Sequence, residues 1–231
     1  MSVETEAPPG GTPAGEAPQE IETRDAQGRV TFRGRMIDGL PHGESYEWSD
    51  KGKPLQRAVV VAGQLDGELR RYDDDGNLFQ VAQYRAGVPH GLTVMYASQR
   101  PVCRLAYRNG LLDGESVYFG ANGRVAAVVP YKAGRMEGTS VHYDPEGRVL
   151  RRMTYVADRL EGPSVTYYGD GAIQETATYK AGLLEGKLER FFPSGKLLQQ
   201  GVYRAGILVE PLKTFDEGGK VTAVLKPGPQ A

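Results

Sequence analysis

Three histidines, one cysteine and 29 acidic residues are all that this chain of 231 residues offers for acid–base, nucleophilic or metal chemistry. His42 and His90 sit 48 residues apart in equivalent sequence contexts, and His142 sits in a different one. In an extended repeat, two such periods place the first pair about 20 Å apart, too far to share a metal ion. Cys103 has no recognisable base partner, and a small apolar residue is its plainer role. The Asp and Glu residues recur at regular intervals and form no distinctive acid–base pair. There is no G-x-x-x-x-G-K-[ST] phosphate loop and no G-x-S-x-G elbow. No catalytic residue, metal ligand or cofactor is expected, and the chain reads as a non-enzyme.

The regular intervals are themselves the main signal. Glycines recur at Gly39, Gly63, Gly87, Gly110, Gly134, Gly182 and Gly206, with Asp158 in the one missing slot. Four residues on, a second series runs from Gly43 to Gly186 and ends at Glu210. An aromatic column follows without a gap: Trp48, Tyr72, Tyr96, Phe119, Tyr143, Tyr167, Phe191 and Phe215. Then come a third glycine column, broken at Arg100, and a tyrosine column at Tyr84, Tyr107, Tyr131, Tyr155, Tyr179 and Tyr203, which Met36 and Val60 replace at the start. The period is 24 residues, repeated eight times from about Met36 to Lys226, with one repeat a residue short after Arg100. A half repeat precedes them at Gly28. Such self-similarity marks a repeat array.

Each unit reads as a β-hairpin. Residues 139–143 alternate polar and apolar, the period of a half-buried strand. DPEG at Asp144 to Gly147 is a turn in which Pro presets φ and Gly takes the left-handed position. Val149, Arg151, Met153 and Tyr155 alternate along the return strand, and the G-x-x-x-G segment reverses the chain again. The expected fold class is all-β: an elongated, twisted antiparallel meander about 80 Å long. A parallel β-solenoid with one coil per repeat is the alternative. Residues 1–23 hold no aromatic side chain and are rich in Pro, Gly and Glu. They read as a disordered tail, with the repeats spanning 24–226 and a short tail at 227–231.

Alternation predicts two unlike faces. One is expected to carry both aromatic columns, the positions Tyr46, Val94, Val117, Val141 and Val165, and the return-strand ladder Leu78, Val102, Val125, Val149, Ile173, Leu197 and Val221. The other, less regular face is expected to hold Arg71, Met95, Tyr118 and His142 on first strands, with Phe79, Arg104 and Arg152 beside them. Tyr, Met and Arg are enriched in interface cores, so these seven are the candidate partner-binding residues, pointing away from the aromatic ladder. An acidic column (Asp66, Asp113, Glu137, Glu161, Glu185, with His42 and His90 in two repeats) and a basic one (Arg85, Arg108, Lys132, Lys180, Arg204) are expected to offset each other along one rim.

Charge and composition narrow the partners. The net charge of −1 favours neither nucleic acid nor an anionic membrane, so nucleic acid is not an expected partner and membrane contact is unsupported by charge. No apolar run approaches the ~20 residues of a membrane span. A single cysteine and an N-terminus without a signal-peptide pattern suit the cytoplasm, or the periplasm if a signal peptide has been removed.

The pattern Y-x-x-G-x-x-x-G-x-x-x-x-[YFW]-x-x-x-G resembles the MORN repeat (membrane occupation and recognition nexus). It is closer to the bacterial variant found in YwqK-type antitoxins, as in YKAGRMEGTSVHYDPEGR (131–148) and YKAGLLEGKLERFFPSGK (179–196). The resemblance covers roughly residues 24 to 226. It implies a non-catalytic hairpin array that works by binding. In bacteria that means an antitoxin or immunity protein binding a cognate toxin; the other implied role is a structural scaffold or membrane-proximal tether.

Overall fold

The computed structural model describes residues 17–228, and all its regular structure is strand: twenty-one strands in one sheet. Every pairing is antiparallel and joins strands that are adjacent along the chain or separated only by a two-residue strand. That excludes the parallel solenoid. The sheet begins at Gln19–Arg24, which pairs with Val30–Ile37, so it starts five residues inside the stretch expected to be a tail. Of the two expected tails, residues 1–16 and 229–231 lie outside the described residues.

One unit shows how the repeat is made. Gly138–Tyr143 runs out and Val149–Val156 returns. Between them the Gly147 N–H donates to the Asp144 carbonyl at 3.0 Å, and the Asp144 carboxylate accepts from the N–H groups of Glu146 and Arg148. Gly147 sits at φ 89°, a conformation that L side chains adopt only at a cost. In the repeat that is one residue short, a two-residue turn at Ser98–Gln99, both with positive φ, replaces this four-residue turn. The missing residue is thereby absorbed without disturbing the strands on either side.

A second kind of turn links one repeat to the next. Ala133–Gly134 and its equivalents have positive φ at both positions, so they are type I′ turns, whose twist suits a two-residue hairpin. Alanine is a poor residue for the first of these positions, and the preceding repeat steadies it. The N–H of Ala133 donates to Asp113, Ala157 to Glu137, Ala181 to Glu161 and Ala205 to Glu185, at 2.7–3.2 Å. Longer contacts of 3.4 Å join Ala86 to Asp66 and Asn109 to the His90 ring. The acidic column is therefore an inter-repeat clasp. Its expected pairing with the basic row reduces to one ion pair between those columns, Arg108 with Asp113. Asp158 adopts the glycine conformation at φ 70°, and its carboxylate accepts from the Met136 N–H.

The two aromatic columns do not share a face. Every hairpin carries a β-bulge, one extra residue near the start of the return strand. One extra residue inverts the side on which all later side chains project. Val149 thus stays opposite Tyr143, while Arg151, Met153 and Tyr155 cross to the face of Ser140 and His142. Trp48 stacks on Tyr46 with ring centroids 5.9 Å apart, which places the first aromatic column with Tyr46.

The face of Ser140 and His142, the first face, holds most of the core, and the buried Val117 stands on the other. Cross-strand partners Ala58, Leu69, Ala82 and Thr93, then Ser140, Met153, Ser164, Ala177 and Leu188, form a buried row along the sheet. Tyr84, Tyr107, Tyr131, Tyr155, Tyr179 and Tyr203 stand on this face, each opposite a glycine of the second column. Small residues in the row leave room for the rings beside them, so a single-layer sheet still encloses apolar surface.

Candidate partner-binding surface

The bulge divides the seven candidate residues. Arg71, Met95, Tyr118 and His142 lie in one cross-strand row of the first face, in the order Arg71, Gln80, Met95, Cys103, Tyr118, Ala127, His142, Arg151. They stand on the tyrosine side, against expectation. Burial, followed by the neighbouring Tyr131, pushes the Tyr118 hydroxyl up to about 12. Tyr118 is therefore a packing residue first. Burial also raises the Cys103 thiol, which suits an apolar role. Phe79 is the extra residue of its bulge and has no partner in the strand register.

Arg104 and Arg152 stand on the opposite face, in another row. It reads Tyr46, Arg57, Arg70, Val81, Val94, Arg104, Val117, Val128, Val141, Arg152, Val165, Thr176, Glu189, Gln200, Lys213. Its three parts differ in kind. At the N-terminal end the charges are mutually engaged: Arg57 pairs with Glu44 and lies 3.9 Å from Glu68, Arg70 bonds Glu68 at 2.7 Å, and Arg57 stacks over Tyr46 at 5.9 Å. The Glu44 carboxyl is held below its usual range by hydrogen bonds from Tyr46 and Arg57. The C-terminal end is polar. Between them run six valines, and the aromatic column from Tyr72 to Tyr167 stands alongside, two residues along the same strands.

Within this apolar stretch Arg104 and Arg152 are exposed, and among the described residues neither side chain has a hydrogen-bond or ion-pair partner. They stand at equivalent positions two repeats apart. Val117, Val128 and Val141 lie between them, so four strand spacings separate the arginines by about 19 Å. A broad apolar surface on a single-layer sheet, carrying two unneutralised guanidinium groups, has the make-up of a protein-binding site. Valines that the sequence placed with the structural ladder belong to this surface. Only the bulge, which the sequence does not announce, brings Arg104 and Arg152 among them.

No group of three or more His, Cys, Asp or Glu side chains is arranged to hold a metal ion among the described residues. The family model described as "MORN repeat variant" matches residues 65–86, 160–181 and 184–205. Each match spans one hairpin in the same phase, from the second residue after the inter-repeat turn to the alanine of the next such turn. The chain is thus similar to that repeat at three of its hairpins. No curated protein matches it. Among solved structures it is similar to a chain of "Crystal Structure of TcdB2-TccC3-Cdc42", at 13% identity over 90% of this chain and 15% of that one, with a TM-score of 0.17.

Proposed function

We propose that this protein is a non-catalytic binding module that captures a protein partner on its valine and arginine face, and that the partner is a bacterial toxin which it neutralises in the cytoplasm. The observation that carries this reading is the apolar row from Val81 to Val165, half-buried apart from the buried Val117, with Arg104 and Arg152 exposed and unpaired within it. Buried guanidinium groups without acids are costly, so the partner that covers this face must bring carboxylates to both arginines. Between them it must bring aliphatic or aromatic side chains. Antitoxin function is what the resemblance to YwqK-type repeats adds, and it names the source of the partner: the product of a neighbouring toxin gene.

The test is titration with that gene product. Arg104→Glu and Arg152→Glu alter exposed groups without internal partners, so both variants should melt like wild type. Each should weaken binding by ten-fold or more, on the order of 1–3 kcal/mol for an interface anchor. Tyr118→Ala should do the opposite, lowering the melting temperature because it removes a half-buried ring. Unchanged affinity in both glutamate variants would remove this face from consideration. Absence of any protein binding, with co-sedimentation on anionic vesicles, would favour a membrane-proximal scaffold instead.

A further inference from the structure

A different kind of site lies on the opposite, tyrosine-bearing face. Arg151 stands between His142 and Thr166 in its row, and neither neighbour can neutralise it as a carboxylate would. Its Nε is buried without a hydrogen-bond partner. Among the described residues no other atom of its side chain has a hydrogen-bond or ion-pair partner. The contrast with Arg190, three strands on, is sharp. That guanidinium donates to Glu175 at 2.8 Å and to Gln199 at 2.8 Å, so both it and the glutamate are already engaged.

Arg151 lines an open depression of about 340 Å³ with Thr166, Tyr168, Gln174, Glu175, Arg190, Phe191 and Leu198. Gln174 and Leu198 are the extra residues of two successive bulges, so the irregularity that inverts the faces also shapes this hollow. Its wall is fixed, since the Tyr168 hydroxyl donates to the Phe191 carbonyl at 2.7 Å. Bulges commonly re-aim side chains beside functional sites, and a buried donor without a partner points to a missing acceptor.

We propose that this hollow binds a carboxylate group of a peptide or protein ligand, with Arg151 as the anchoring residue and Thr166 as a further donor. Arg151 and Arg190 against Glu175 leave one unneutralised positive charge, which matches a monoanion. A phosphate dianion would add repulsion from Glu175. The planar guanidinium fork fits the two oxygens of a carboxylate, and Leu198 supplies an apolar wall for the carbon chain that bears it. The site lies across the sheet from Arg104 and Arg152, so it stands or falls separately from the function proposed above.

The buried Nε–H makes the test direct. In a nitrogen–proton correlation spectrum of the full chain, butyrate should shift the Arg151 Nε–H resonance saturably, and inorganic phosphate should do so more weakly. Arg151→Lys, which keeps the charge but loses the fork, should bind butyrate at least ten-fold more weakly while melting like wild type. Two apolar peptides, one ending in a free carboxylate and one amidated with an internal glutamate, then separate the sources. Binding of the first alone assigns a chain terminus, and binding of both an acidic side chain. A shift that does not saturate, undiminished butyrate affinity in Arg151→Lys when followed through the Arg190 Nε–H, or tighter binding of phosphate overturns the proposal.

Discussion

Asp144 shows how much one side chain can settle locally. It is 7% exposed, and burial pushes its carboxyl up, yet hydrogen bonds from the Arg148 N–H and guanidinium and from the Glu146 N–H outweigh that and hold it below its usual range. Asp73, bonded by the Asn77 N–H, and Asp25, where burial is opposed by bonds from Arg29 and Gln27, are lowered in the same way. A depressed folded-state value means the unfolded chain binds the proton more tightly. The stabilisation is therefore complete above the unfolded value of about 3.9. It is lost as pH falls further through the folded value. Melting temperature should be flat from pH 7 to about pH 5 as far as these groups are concerned, and should fall below about pH 4. Asp144→Asn keeps an acceptor for the backbone but titrates nothing, so its acid-induced fall should be smaller than that of wild type. Circular dichroism melts at pH 7, 5, 4 and 3 check this, and parallel falls in both proteins would contradict it.

At the scale of the hairpin, stability rests on how each turn is held by the repeat before it. Glu161→Ala removes the acceptor for the Ala181 N–H and should cost about 1 kcal/mol, while Glu161→Gln, which keeps an oxygen, should cost less. Ala181→Asn should stabilise by roughly 0.5–1 kcal/mol, because asparagine tolerates the left-handed position better than alanine. Urea titrations of the three variants rank them, and an Ala181→Asn protein weaker than wild type would refute the turn argument. Much of the hairpin was legible in the residues: the period, the DPEG turn, and the pairing of Tyr143 with Val149 or Tyr72 with Leu78. The bulge was not, because its extra residue has no fixed chemistry. It is Leu55, Phe79, Val102, Ala126, Leu150, Gln174, Leu198 or Thr222 in successive repeats. That one unmarked residue per hairpin separates Arg104 and Arg152 from Tyr118 and His142. It also places Arg151, which alternation had put with the structural ladder, in the hollow described above.

At the scale of the whole molecule, each repeat pairs only with the repeats beside it, so stability should be near-additive along the sheet. Whole repeats should then be removable if the period is kept. Deleting residues 183–206 joins Gly182 to Ile207 and leaves every remaining row on its own face. The product should stay all-β, shorter by about 10 Å in small-angle scattering, with the Arg104 to Arg152 surface intact and partner affinity unchanged. Deleting residues 111–134 also removes one period, joining Gly110 to Arg135, and should fold as well. It takes Val117 and Val128 with it, however, and draws the two arginines from about 19 Å to about 10 Å apart. A partner whose carboxylates are spaced for the longer interval cannot meet both, so affinity should fall at least as far as in Arg104→Glu. Two deletions of equal length and similar fold thus separate stability from recognition. Equal loss of binding in both would mean that the whole length of the sheet is read. Equal retention would mean that the partner sits elsewhere than between Arg104 and Arg152.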